Sequence, residues 1–247
     1  MPIIFLSPSM AVENRFVDGG NEQEYMNGIA DAMEPYLRSS GIRFIRAALG
    51  ASFGQAIRES NAGYYDLHLS LFTDASPQNM EGRLMGADIY YYSYGTRGRP
   101  AAELIAANYK RIYPNPSLVK AVPTNRAAEI VKTNAPAVSV RTAYRDNKED
   151  SKWLKENVNP IAASLVESIT QYFGIPFVTG PRIVLHGTVS TDDSGELNLH
   201  SRPDGSAQVI AKAQNNTPIS ILGVMKGWYV VDYRGDIGYA DAKFILI

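Results

Sequence analysis

From residue 2 to residue 178 short apolar runs alternate with stretches of helical periodicity, and beyond that point helical periodicity stops altogether. One layered core does not accommodate both patterns, so the chain reads as an α/β domain followed by a small all-β domain. Thr179-Gly180-Pro181 marks the change, with a linker expected over 179–186 and domains over 1–178 and 187–247.

Within the first part, Pro2–Leu6 reads as a strand. Asn21 is placed to cap a helix, with Glu24 three residues on as its capping-box partner. Met26, Ile29, Met33 and Leu37 then fall on one buried stripe, and Gly41 ends it. Ile42–Ile45 is the next strand. Tyr65–Phe72 is another, with Leu67, Leu69 and Leu71 on one face and His68, Ser70 and Phe72 on the other. Asp88–Tyr92 and Pro136–Ala143 read as strands and Ala101–Ile112 as a helix. A last helical stretch carries Trp153, Leu154, Ile161, Leu165 and Phe173, restarting at Asn159-Pro160 and closing at Gly174. After the linker, short strands from Gly187–Val189 to Phe244–Leu246 are separated by Gly, Asp, Asn and Pro turns, which suits a small barrel.

Composition narrows the chemistry. With 24 Lys+Arg against 25 Asp+Glu the formal charge is −1, leaving no long-range field to gather polyphosphate, so nucleic acid is not an expected partner. No apolar run approaches the roughly 18 residues that cross a bilayer, and no membrane partner is expected. The start, Met1-Pro2-Ile3-Ile4-Phe5-Leu6-Ser7, lacks a basic leader and reads as a strand instead of a secretory signal. The expectation is a chain made in the cytoplasm that reaches the cell wall through lysis or a non-classical route. Cysteine is absent, which removes thiol nucleophiles and thiolate metal sites together, and His68, His186 and His200 are the three imidazoles.

Gly187-Thr188-Val189, Leu197-Asn198-Leu199-His200-Ser201-Arg202-Pro203, Gly227-Trp228-Tyr229-Val230-Val231, Gly238-Tyr239-Ala240 and Phe244 resemble the bacterial SH3-like domains attached to cell-wall enzymes. That resemblance implies a module that docks on peptidoglycan. Trp228, Tyr229 and Tyr239 are the expected ligand-binding rings, flat enough to stack on sugar or peptide faces.

Phe5-Leu6-Ser7-Pro8-Ser9, Gly19-Gly20-Asn21-Glu22-Gln23-Glu24-Tyr25-Met26-Asn27, Tyr65-Asp66-Leu67-His68-Leu69-Ser70-Leu71, Pro136-Ala137-Val138 and Tyr172-Phe173-Gly174-Ile175-Pro176 resemble the zinc-dependent N-acetylmuramoyl-L-alanine amidases, in the variant that Firmicutes pair with such a barrel. The resemblance implies a mixed sheet flanked by helices. It also implies a zinc ion held by His, Glu and His, with a separate glutamate moving the proton. Residue by residue, Glu22 matches the glutamate ligand. The first ligand position falls at about Met10 or Ala11, the third is Phe72, and the catalytic glutamate is replaced by Arg141, whose guanidinium does not act as a base.

His68 shares the strand face of Phe72, but four residues at about 3.3 Å each put it roughly 13 Å away. His186 and His200 belong to the linker and barrel, so Asp74 and Asp146 are the carboxylates that the family pattern places nearby. The expectation is a vestigial site of Glu22, Phe72, Asp74, Arg141 and His68, with no catalytic residue, no bound metal and no cofactor, and with Arg141 paired to Glu22 where zinc sits in active relatives. The function expected is binding of peptidoglycan, through its glycan or its stem peptide. Two other readings stay open: an amidase with an atypical metal set including Glu22 and Asp74, or a structural component of a phage or injection-type particle.

Overall fold

The computed structural model describes residues 1–180, 184–191 and 195–247. The first part contains β1 (Ile3–Pro8), α1 (Glu22–Ser39), β2 (Arg43–Arg46), α2 (Phe53–Asn61), β3 (Leu67–Asp74), β4 (Ala87–Tyr92), α3 (Gly98–Tyr109), β5 (Val119–Thr124), α4 (Ala128–Val131), β6 (Ala137–Tyr144), α5 (Lys148–Glu156) and α6 (Val158–Phe173). The second contains β7 (Leu185–Val189), β8 (Glu196–His200), β9 (Val209–Gln214), β10 (Pro218–Met225), β11 (Trp228–Tyr233), β12 (Asp236–Asp241) and β13 (Ile245–Leu246). No helix among the described residues is long and apolar enough to cross a membrane.

The α/β part is a six-stranded sheet in the order β2-β1-β3-β6-β4-β5. β1, β3 and β6 run parallel, and β4 is antiparallel to β6 and parallel to β5. Alternation on β3 is as the sequence implies, but all of Leu67 to Leu71 is buried, because both faces of a central strand are covered.

Local signals explain the helix ends. Asn21 Oδ1 accepts from the Glu24 N–H at 3.0 Å. At the other end of α1, Gly41 adopts φ +75° while the Ile42 N–H reaches the Leu37 carbonyl at 2.8 Å, a closing turn that strains any residue with a Cβ. The restart of the last helical stretch lies two residues before the expected Asn159. Asn157 ends α5 and its carbonyl accepts from the Ile161 N–H at 2.9 Å, so Pro160 sits in the first turn of α6, where its missing N–H costs no bond.

The all-β part is an antiparallel sheet in the order β13-β7-β10-β11-β12-β8-β9. Its inward side chains include Val189, Leu199, Ile219, Ile221, Val231 and Ile245.

The chain divides into two compact units, one of Ile3–Met33 and Phe44–Phe173, the other of Met1–Pro2, Glu34–Arg43 and Gly174–Ile247. Within the second, Ser39 Oγ donates to the Val178 carbonyl at 2.6 Å and Ser40 Oγ accepts from the Val178 N–H at 3.0 Å. Gly223 has no Cβ because one would stand 2.2 Å from the Ser39 carbonyl oxygen. The end of α1 therefore belongs by contact with residues far along the chain. Pro181 to Ile183, in the middle of the expected linker, lie outside the described residues.

One buried carboxylate ties three segments of the α/β part together. Asp150 is 1% exposed and accepts from the Gly86 N–H at 3.0 Å, the Tyr144 N–H at 2.8 Å and the Tyr113 hydroxyl. Asp150→Ala strands all three donors, a loss of about 3 kcal/mol. The expected fall in Tm is roughly 6–12 °C for a chain of this size, read by thermal circular dichroism.

Candidate functional site

Strand register brings the site together. Phe72 on β3 lies opposite Arg141 on β6, Arg141 lies opposite Asp88 on β4, and Asp88 lies opposite Lys120 on β5. Directly opposed residues share a face, so one row runs across four strands. In that row the Arg141 guanidinium sits 4.3 Å from the centre of the Phe72 ring, and its Nε lies 4.0 Å from Asp74 Oδ1. Burial raises the Asp74 pKa, with Arg141 acting against it, and burial likewise raises that of Asp88.

Glu22 opens α1 and is completely buried. Its Oε1 accepts from the Thr73 N–H at 2.5 Å and its Oε2 from Asn14 Nδ2. Both oxygens are therefore engaged by protein donors, in the first turn of a helix where a negative charge is favoured. The expected Glu22–Arg141 ion pair is corrected: the guanidinium goes to Phe72 and Asp74. The reason is the register of β3 and β6, which puts Arg141 beside its strand neighbours, while Thr73 on β3 and Asn14 before α1 already supply Glu22 with uncharged donors.

The remaining positions do not restore a zinc site. Met10 offers a thioether, with Gln23 Nε2 and Asn27 Nδ2 each 3.8 Å from its sulfur, and Phe72 has no lone pair. A thioether, an engaged carboxylate, a phenyl ring and a guanidinium do not fit a three-ligand zinc ion with an open fourth position. Among the described residues no group of three or more His, Asp or Glu side chains is arranged to hold a metal ion.

His68 is a core residue. It is fully buried, its Nδ1 lies 2.9 Å from Ser60 Oγ, and its ring stacks on Phe5 at 5.3 Å, while Nε2 has no partner among the described residues. Asp146 is a loop anchor, accepting from the Gly82 N–H at 2.7 Å and the Ser76 N–H at 3.0 Å. Burial works to raise its pKa, but these donors outweigh it and hold the carboxyl below its usual range.

In the barrel, Trp228 lines a cavity of about 460 Å³ with His200, Phe244, Glu196 and Asn198, and its ring meets His200 edge-on at 5.7 Å. Tyr229 packs half-buried against the barrel core. Tyr239 is a correction: it is fully buried, and its hydroxyl donates to the Ser40 carbonyl at 2.9 Å, so neither ring face is open to a ligand. Alternation turns Ala240, not Tyr239, into the barrel core, and the end of α1 covers Tyr239 on the other face. His186 is exposed on β7.

Two features escape the sequence reading. Helix α2 is one, although Ser52 and Gln55 have capping-box spacing, and Ser52 Oγ does accept from the Gln55 N–H. With it comes a cavity of about 400 Å³ at the carboxyl ends of β1 and β3, lined in part by Met10, Phe53 and Phe72. The other is Glu129 on α4, 2% exposed, with Oε1 unpartnered. Burial raises its pKa, Arg141 opposing and Glu22 adding to the rise.

With this geometry in place, the comparisons with known proteins bear on it directly. A family model described as N-acetylmuramoyl-L-alanine amidase matches residues 9–171. The chain belongs to that amidase family. A model described as bacterial SH3 domain matches residues 195–245 of the barrel. No curated protein matches. Among solved structures, the amidase AmiC2 of Nostoc punctiforme superposes with a TM-score of 0.62 at 16% identity, covering 70% of this chain and 97% of that one. The amidase Ami1 from Mycobacterium smegmatis gives 0.61 at 18%, covering 70% and 97%. Cwp6 from Clostridium difficile gives 0.60 at 22%, covering 69% of this chain and 29% of that one. At these identities the structural likeness establishes the fold. The chain is thus of the cell-wall amidase type.

The buried histidine makes stability depend on pH. Burial lowers the His68 pKa from 6.5 to about 4, so between those values the unfolded chain takes up a proton that the folded one excludes. Stability then falls as pH falls through that window, by about 3 kcal/mol at its lower end. The raised pKa values of Asp74, Asp88, Glu129 and Asp150 act in the opposite direction, favouring the fold as pH drops. His68→Gln keeps a polar group near Ser60 and removes the titration. Its chemical-denaturation midpoint is expected to decline less than that of the parent between pH 6.5 and 4; parallel curves would refute the assignment.

Proposed function

We propose that this chain is a peptidoglycan-binding protein built on the amidase fold, one that recognises the wall polymer without cleaving it. The observation that carries this reading is the stack of Arg141 on Phe72, 4.3 Å from ring centre to guanidinium, at the two positions where the family places a zinc ligand and the proton-transferring glutamate. Amide hydrolysis by this family's route needs a Lewis acid to polarise the carbonyl and lower the pKa of water, and a base to take the proton. A phenyl ring supplies neither, and an arginine that stays protonated has no lone pair with which to take the proton.

Binding is supported by what the fold retains. A cavity persists at the carboxyl edge of the sheet, where open α/β folds take ligands. The barrel, matched to the bacterial SH3 family, adds a second cavity walled by Trp228 and Phe244.

The test is twofold. After incubation with zinc and gel filtration, the chain is expected to carry far less than one zinc per molecule by elemental analysis. Mixed with purified sacculi, it should sediment with them and release no peptide detectable by chromatography. One zinc per chain, or cleavage of the muramyl–alanine bond, would overturn the reading in favour of an active amidase with an atypical metal set. Phe72→His with Arg141→Glu is expected to remain short of stoichiometric zinc, since Met10 still stands at the first-ligand position.

A further inference from the structure

We infer that a pocket at the opposite, amino edge of the same sheet is a saccharide-binding site, in which Tyr65, Tyr172 and Phe173 carry the apolar faces of sugar rings while Asp66 and Arg97 bind their hydroxyls. The site is separate from the cavity beside Phe72, and the inference rests on the wall-binding reading only for naming the saccharide, the glycan strand.

The pocket is assembled where strands begin. Tyr65 and Asp66 lead into β3, Pro136 into β6 and Arg97 into α3, while Tyr172 and Phe173 end α6, and together they enclose about 450 Å³. Small-ligand sites span about 300–1,000 Å³. Packing fixes the rings. Tyr65 meets Phe5 edge-on at 5.2 Å and lies over Gly63, where a Cβ would stand 2.7 Å from its ring. Tyr172 and Phe173 have ring centres 5.0 Å apart. The Tyr172 hydroxyl donates to the Arg97 carbonyl at 3.2 Å, and Gly98 lies so near β6 that a Cβ would stand 2.8 Å from the Ala137 carbonyl oxygen, so the backbone carrying Arg97 is held. Tyr64 and Tyr94, 99% and 77% exposed, add two rings on the segments that lead to Tyr65 and Arg97. Large exposed rings beside a pocket mark a binding surface.

The polar groups decide the class of ligand. Asp66 is anchored on β1, its N–H donating to the Ile3 carbonyl and its Oδ2 accepting from the Ile3 N–H, both at 2.8 Å, so Oδ1 remains to accept from a ligand. The Arg97 side chain is exposed and makes no hydrogen bond or ion pair among the described residues, although Asp66 lines the same pocket. Two opposite charges that do not close on each other disfavour an anion and a cation alike, and suit a neutral ligand with both donors and acceptors. A peptide docks largely by its backbone, but the main-chain groups at this edge are taken. Asp66 and Ile3 bond to each other, the Pro136 carbonyl accepts from the His68 N–H at 2.8 Å, and the Arg97 carbonyl is held by Tyr172. Recognition is left to a carboxylate, a guanidinium fork and flat rings. A saccharide presents vicinal hydroxyls to the first two and a C–H face to the third.

The experiment follows the backbone amide signals of the full, isotope-labelled chain by NMR during titration with chitotetraose, a neutral N-acetylglucosamine oligomer, and separately with the tetrapeptide L-Ala-D-Glu-L-Lys-D-Ala. Saturable shifts are expected at Gly63, Asp66, Gly98 and Phe173 with the saccharide, and none there with the peptide. Arg97→Lys, which keeps the charge and loses the planar fork, is expected to weaken saccharide binding about fivefold, and Arg97→Ala about tenfold. Both change an exposed side chain and leave the carbonyl that Tyr172 holds, so the fold is retained. Arg97→Lys that binds as tightly as the parent, saccharide shifts confined to the carboxyl edge or the barrel, or peptide shifts at these amides would overturn the assignment. Sedimentation of the same preparation with sacculi separates the two readings. A chain that sediments without these shifts loses this site alone, and one that shows them without sedimenting keeps the saccharide site and loses the wall-binding reading.

Discussion

The register of β3 against β6 is the constraint on which the site depends. By pairing Phe72 with Arg141 it brings a ring and a guanidinium together across adjacent strands, and Asp74 completes the set from two residues further along β3. A one-residue slip of either strand would turn its side chains to the opposite face of the sheet and part the ring from the guanidinium. In the register observed, the guanidinium lies against the Phe72 ring with Asp74 as its carboxylate neighbour, and the contact pins the wall of the adjacent cavity.

Electrostatics around that contact is lopsided. Asp74, Asp88 and Glu129 all have pKa values raised by burial. Glu22, fully buried at a helix start, has the Thr73 N–H and the Asn14 amide on its two oxygens, while Glu129 leaves Oε1 without a partner among the described residues. Glu22 is thus held as a structural acceptor.

Much of the fold was legible in the sequence because its signals are local. The cap at Asn21, the closing turn at Gly41 and the alternation of Leu67, Leu69 and Leu71 each depend on a few neighbouring residues. Helix α2 escaped because its nine residues offer little periodicity, although Ser52 and Gln55 announced its start. The α1 terminus shows the converse: Ser39 and Ser40 are bonded to Val178 and Tyr239, partners well over a hundred residues away, and nothing near them in the chain foretells it.

By itself the sequence determined the two-part organisation and that Phe72 and Arg141 offer neither a metal-binding lone pair nor a base, because the identity of a side chain decides whether it carries a lone pair. Only the tertiary structure decided where the displaced charges went. Arg141 turned to Phe72 and Asp74 instead of Glu22, Tyr239 was covered by the end of α1, and a cavity opened among Ala47, Ala51 and Phe72. These outcomes depend on strand register and on distances between segments remote in sequence, which residue identity alone does not encode.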